Sequence, residues 1–147
     1  MGKTTEAPAG YRISTDPLDV DLQFVHTFLS TKSYWAQGRT IETVQKSVEN
    51  SLCFSALSPD GKQVGFARVV TDYATFAWVC DVFVDAAHRG KGLGKELMNS
   101  VVHDSRLQGL TRMILATRDA QALYKEYGCF GVLKNPERWM ERSTGED

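Results

Sequence analysis

The sequence predicts an α/β domain, a mixed sheet with helices on both faces. Three observations carry this reading. Two early stretches, residues 18–29 and 41–48, repeat apolar residues at helical spacing. Three runs that follow, residues 52–57, 64–70 and 76–84, switch to a period of two, so strands succeed helices. The chain then passes from an apolar run through a glycine-rich turn into an amphipathic stretch and a second apolar run. That is the pattern of a strand–helix–strand crossover.

Taken in order, residues 1–10 read as a polar, disordered leader and Tyr11 to Ser14 as a short strand. Asp16-Pro17 supplies a cap and a first-turn proline for a helix with Leu18, Leu22, Val25 and Leu29 on one face. The connecting stretch SYWAQGR displays Tyr34, Trp35, Gln37 and Arg39. Thr40 caps a second helix whose inner face is Ile41, Val44 and Val48. Leu52 to Leu57 and Val64 to Val70 are joined by SPDGK, a turn sequence that makes them an antiparallel hairpin. Phe76 to Val84 is the third strand of this meander. A helix starting near Gly92 buries Leu93, Leu97, Met98, Val101 and Val102 and ends before Gly109. Met113 to Ala116 follows as a strand parallel to the one before the glycine turn. Asp119 is placed to cap a last helix, Ala120 to Tyr127, with Gly128 as its stop. Phe130 to Leu133 and Trp139 to Arg142 read as closing strands around Asn135-Pro136, and Ser143 to Asp147 as a polar tail. The order is β-α-α-β-β-β-α-β-α-β-β, one domain over residues 11–142 with six to seven strands.

Composition narrows the function classes. With 42% hydrophobic and 24% charged residues, the 147-residue chain has the make-up of a single soluble globular domain. A net charge of −1 provides no basic field for nucleic acid or an acidic membrane surface. No apolar run approaches the ~18 residues of a membrane span, and the first ten residues lack the apolar core of a signal peptide. Cys53, Cys80 and Cys129 are odd in number and widely spaced, which suits reduced thiols in a cytoplasmic protein. No cysteine or histidine spacing matches a zinc site, so no metal is expected.

Chemistry is concentrated in the turn Arg89-Gly90-Lys91-Gly92-Leu93-Gly94, followed by Lys95. Its glycines let the backbone turn tightly and approach a ligand. The helix that follows presents free N–H groups and the positive end of its dipole to an anion, with phosphate or pyrophosphate the natural guest. Neither common phosphate loop fits. Lys95 is followed by Glu96 where a P-loop has Ser or Thr, and the glycine spacing is not G-x-G-x-x-G.

What fits is R/Q-x-x-G-x-G/A directly after a strand, with Arg89, Gly92 and Gly94 in the marked places. In this motif and in its element order the chain resembles the GCN5-related N-acetyltransferase (GNAT) superfamily over about residues 11–142. The resemblance implies a fold in which the strand before the glycine turn splays from its parallel neighbour. It also implies acetyl-CoA as cofactor, with Val82, Phe83 and Val84 holding pantetheine and Arg89, Gly90, Lys91, Gly92, Leu93, Gly94 and Lys95 the pyrophosphate. Thr117 stands where the family often has a CoA-contacting asparagine, and Ala120 and Tyr124 complete the expected cofactor wall. DAQALYKEYG resembles A-x-x-L-Y-x-x-x-G, which makes Tyr124 the general acid for the departing thiolate. Its ordinary pKa of ~10 is near that of a thiol. Gly128-Cys129-Phe130 replaces the usual Gly-Phe and reads as a one-residue insertion.

The acceptor side is left with alternatives. Asp81 resembles the acid with which polyamine acetyltransferases hold their amine; it either acts as a base, attracts the ammonium, or is a hydrogen-bonded structural residue. Tyr34 and Trp35 either wall the acceptor site or close over the core, and Asp72 joins Asp81 as an acidic candidate at the mouth. The expected reaction is direct acetyl transfer to an amine of a small molecule or peptide. Its alternatives are a non-catalytic acyl-CoA-binding sensor and a protein N-acetyltransferase. No nucleic-acid or membrane partner is expected, and a homodimer is left open.

Overall fold

The computed structural model describes residues 7–144. Five strands form one sheet in the order β1-β2-β3-β4-β5: β1 (Arg12–Ser14), β2 (Leu52–Leu57), β3 (Gln63–Thr71), β4 (Phe76–Val84) and β5 (Arg112–Leu115). The first four pair antiparallel and β5 pairs parallel to β4. Four helices cover the sheet: α1 (Leu22–Thr31), α2 (Ile41–Glu49), α3 (Leu93–His103) and α4 (Gln121–Gly128). No helix among the described residues is long and apolar enough to cross a membrane.

Each face of the sheet has its own core. On one side, Val25, Phe28 and Leu29 of α1 and Val44 of α2 pack on Cys53, Phe66 and Phe83. The Phe28 and Phe83 rings stack at 3.9 Å. On the other side, Leu93, Leu97, Met98 and Val101 of α3 and Tyr124 of α4 pack on Phe54, Ala67, Val69, Ala77 and Val79. Burying each large side chain contributes about 1.5–3 kcal/mol, so the alternating pattern of β4 ties it to both layers.

The structure corrects the sequence reading in four places. Asp16-Pro17 starts only a 3₁₀ turn, Pro17–Asp19, and Leu18 is 90% exposed. Helix α1 begins later, where the Asp21 carboxylate accepts from Phe24 N–H. The last two expected strands do not form, so the described sheet has five strands and not six to seven. Val132 and Met140 are 94% and 96% exposed, Asn135 is left-handed, and Pro136 opens a 3₁₀ turn. This segment therefore has no buried face to hold a strand. Asp119 makes no cap bond, and Thr117 Oγ1 instead accepts from Ala120 N–H at 3.1 Å. Gly128 does not stop α4: it is the last helical residue, and Cys129 takes the left-handed cap at φ 59°. A side chain at position 128 would sit 2.7 Å from the Phe130 ring, which is why glycine stands there. The expected leader, 1–10, and tail, 143–147, fall largely outside the described residues. Within the described part Tyr11 N–H donates to Pro8 O in a turn.

Candidate active site

The site begins with an unequal pair of strands. β5 pairs with β4 only from Phe76↔Arg112 to Val79↔Leu115, while β4 runs on to Val84. From Cys80 onward the edge of β4 that faced β5 has no strand beside it. A β-bulge lies at this point: Arg68 pairs with Cys80 and Phe66 with Phe83, so Asp81 and Val82 together oppose Ala67. Asp81 adopts φ 52°, a left-handed conformation that Asp tolerates better than most residues.

The bulge turns Asp81 into a buried polar junction. Only 4% of the residue is exposed, and its oxygens accept from three side chains. Trp35 Nε1 donates to Oδ1 at 2.8 Å; Arg39 Nη1 and Arg68 Nε both donate to Oδ2 at 2.9 Å. Arg68 also donates to Ser51 Oγ at 3.1 Å. Burying a carboxylate is expensive unless it is paired and hydrogen-bonded, and here two guanidinium groups satisfy that condition. The junction fastens the α1–α2 connection to the sheet. That connection is also folded back on α1, with Gly38 N–H donating to Ser30 O and His26 Nε2 donating to Arg39 O.

Above the bulge lies a cavity of about 470 Å³. Tyr34 and Trp35 wall it from the α1–α2 connection, Trp78 to Val82 from β4, Leu115 to Ala120 from the end of β5, and Tyr124 from α4. Tyr34 and Trp35 meet edge to face at 4.9 Å. Arg118 N–H donates to Tyr34 Oη at 3.0 Å, and the Arg118 guanidinium lies 3.9 Å from the Tyr34 ring centroid. The two connections are thereby joined across the cavity. Burial, helped by the electron-rich Tyr34 hydroxyl and the Asp119 carboxylate, pushes the Tyr124 phenol up to about 12.

The glycine turn sits at the far end of β4. Gly90 and Gly92 have φ of 80° and 82°, which no other residue type adopts easily, and nothing lies within 4 Å of where their side chains would be. Gly92 is the N-cap of α3, and the first helical bond is Glu96 N–H to Gly92 O. The N–H groups of Leu93, Gly94 and Lys95 therefore have no helical partner, and a helix N-terminus of this kind can serve as an anion cradle. Arg89 Nε donates to Val84 O at 3.0 Å, which fixes this side chain beside the cradle. Lys95 lies over the Tyr127 ring at 5.1 Å.

Of the residues singled out in the sequence, Tyr34, Trp35, Asp81, Val82, Thr117, Ala120 and Tyr124 line the one cavity. Arg89 to Lys95 form the separate cradle. Phe83 points its ring into the α1 core, leaving only its backbone on the strand edge. Asp72 is not at the mouth. It lies in the β3–β4 turn, where it accepts from the N–H groups of Ala74, Thr75 and Phe76 and from Thr75 Oγ1. Those bonds, the Thr75 hydroxyl first, hold its carboxyl well below its ordinary 3.8. Arg68, Arg118 and Asp119 were missed as site residues. Arg68 did leave a signal, a charge inside the strand GFARVV.

A family model described as the acetyltransferase (GNAT) family matches residues 22–129. The chain belongs to this family. A GNAT-family protein of Xanthomonas campestris pv. campestris is 44% identical, with a TM-score of 0.89 over 94% of this chain and 95% of that one. A protein of Gibberella zeae, whose name assigns it provisionally to the acetyltransferases, is 27% identical over 92% of this chain and 90% of its own length. A predicted acetyltransferase of Clostridium acetobutylicum, solved with acetyl-CoA, shares the fold at a TM-score of 0.64 and 14% identity, covering 90% of this chain and 94% of that one. Within the GNAT frame, the cradle, the free edge of β4 and the cavity follow one another along a single strand. An anionic, extended ligand with a reactive end fits that arrangement.

Proposed function

We propose that the protein is an acetyl-CoA-dependent N-acetyltransferase that moves the acetyl group directly to an amine of a small molecule or peptide. The observation that carries this reading is the free edge of β4 from Cys80 to Val84, which joins the anion cradle of α3 to the cavity holding Tyr124. The donor set suits coenzyme A. Unpartnered N–H groups and Arg89, Lys91 and Lys95 match a pyrophosphate, and a strand edge matches an amide-bearing arm that adds like a strand.

When bound, acetyl-CoA supplies an activated acyl carbon and a thiol leaving group. The chain supplies position and proton transfer. Backbone groups of Val82, Phe83 and Val84 hold the arm, and an N–H aimed at the acyl oxygen contributes about 3 kcal/mol to the transition state. Tyr124, a phenol that is protonated at neutral pH, gives its proton to the departing sulfur. Orientation of the amine in the cavity supplies much of the remaining rate. Asp81 serves as an anchor and not as the base, because its oxygens are already occupied by Trp35, Arg39 and Arg68.

Thermal melts and a thiol-release assay test this reading together. Acetyl-CoA at large excess raises Tm, and an amine panel liberates free thiol. Arg89→Ala weakens CoA about tenfold while leaving pantetheine fragments unaffected, as expected for one lost charge-assisted bond. Absence of a Tm shift at saturating acetyl-CoA rejects the cofactor assignment.

A further inference from the structure

Two carboxylates line the cavity, Asp81 and Asp119. Asp81 is consumed by its three donors. Asp119 is in the opposite condition. It is exposed at the mouth, it does not cap α4, and among the described residues it makes no hydrogen bond or ion pair. Its neighbour Arg118 does not neutralise it, because that guanidinium is laid on the Tyr34 ring. The Thr117 hydroxyl accepts from Ala120 N–H, so the turn into α4 is held without the Asp119 carboxylate. A solvent-facing carboxylate thus lines the same cavity as Tyr34 and Trp35 and is close enough to Tyr124 for its charge to act on that phenol.

We propose that Asp119 is the carboxylate that receives the acceptor's ammonium group and takes its proton. The inference rests on the transfer reading above and names the group that handles the acceptor. The Tyr34 ring is already covered by Arg118, and the Trp35 ring in the same cavity favours a cation, so the acceptor enters as a protonated amine. Its N–H⁺ proton passes to an Asp119 oxygen, and the freed nitrogen pair forms the new C–N bond at the acyl carbon. The C–S bond breaks, and the sulfur takes the Tyr124 hydroxyl proton. The amide nitrogen's surplus proton and the Asp119 proton leave to water, and Tyr124 regains its proton from water. The products are an N-acetyl amide and a free thiol, and no oxidant or further reactant is needed.

The other titratable or charged groups lining the cavity with Asp119 are Arg118 on its own segment, Tyr34 from the α1–α2 connection, Cys80 and Asp81 from β4, and Tyr124 from α4, whose phenol feels the Asp119 charge. Asp81 is already matched by Arg39 and Arg68, so Asp119 is the carboxylate with charge to offer.

The test compares wild type with Asp119→Asn and Asp119→Glu, using phenethylamine, spermidine, glucosamine and lysine as acceptors. For the amine that reacts, Asp119→Asn lowers kcat/KM roughly 10²-fold, and Asp119→Glu recovers most of it. The Tm rise with acetyl-CoA stays as in wild type, and calorimetry shows weaker binding of the same amine to the CoA complex. Between pH 6 and 9 the Asn variant gains about tenfold per pH unit, because it depends on free amine from solution, whereas wild type is nearly flat. Equal kcat/KM, or equal pH slopes, in wild type and Asp119→Asn overturns the role of Asp119 and leaves the transfer reading intact. Failure of wild type to release thiol with all four amines, despite a Tm rise with acetyl-CoA, removes the transfer reading and this inference with it.

Discussion

Arg39 Nη1 and Asp81 Oδ2 meet at 2.9 Å across 42 residues of sequence, and the Asp81 side chain is 2% exposed where they meet. This pair holds the α1–α2 connection against the bulge of β4, with Arg68 and Trp35 completing the junction. Removing the carboxylate leaves two guanidinium groups without their counter-charge. Asp81→Ala is expected to destabilise the fold by about 3–5 kcal/mol, the usual loss when one partner of a buried pair is deleted. Arg39→Ala is expected to be milder, because Arg39 is 24% exposed and Arg68 remains on Asp81. Chemical denaturation of both variants checks the order; equal losses would show that Arg68 does not hold Asp81 once Arg39 is gone.

Tyr124→Phe is expected to lower kcat roughly 10²-fold while the Tm shift with acetyl-CoA is retained. The raised phenol pKa also sets a stability limit. Its folded value, about 12, lies above the ordinary 10, so the native state holds the proton more tightly than the unfolded chain. This contribution is fully present below pH 10 and is lost as pH rises towards 12. Across that window wild type should lose stability relative to Tyr124→Phe, which has no phenol to ionise; parallel melts would show that the phenol is not buried.

Two glycines make opposite cases for alanine. At Gly92 the space is open but φ is 82°, so Gly92→Ala costs about 1–2 kcal/mol of backbone strain and weakens anion binding. At Gly128 the added carbon would meet the Phe130 ring at 2.7 Å and Met98 at 3.2 Å. Gly128→Ala is expected to lower stability by about 1–3 kcal/mol through overpacking, with acetyl-CoA affinity unchanged. Paired measurements of Tm and of acetyl-CoA binding separate the two.

Asp72→Ala should leave turnover unchanged, because Asp72 organises the β3–β4 turn outside the cavity. Its carboxyl is held low by the Thr75 hydroxyl and by backbone N–H groups, so what it contributes is present above its ordinary 3.8 and fades as the pH falls below that value. Wild type and Asp72→Ala should therefore differ in Tm at neutral pH and converge in acid. A fall in turnover for this variant would return Asp72 to the acceptor site.

The thiols offer a direct reading of burial. Cys129 is exposed, while burial pushes Cys53 up to about 12 and Cys80 up to about 11. A thiol reagent at neutral pH should modify one cysteine rapidly and the other two only on unfolding. Two fast thiols would show that Cys80 is open to solvent through the cavity.

Local rules were enough for much of this chain. Thr40 capping α2, the period-two runs of β2 to β4, and the glycines that turn the chain into α3 are all decided by neighbours within a few residues, where backbone sterics and capping bonds dominate. The turn from Arg89 to Lys95 was legible for the same reason, since it is built from consecutive residues. Tertiary structure decided the rest. Whether Phe130 to Leu133 and Trp139 to Arg142 become strands depends on a partner face that local pattern does not supply, and Val132 and Met140 stay in solvent. Whether Asp81 or Asp119 is the free carboxylate depends on Trp35 and Arg39 arriving from the α1–α2 connection and Arg68 from β3. The charge of a side chain is written in the sequence, but its availability is set by what folds against it.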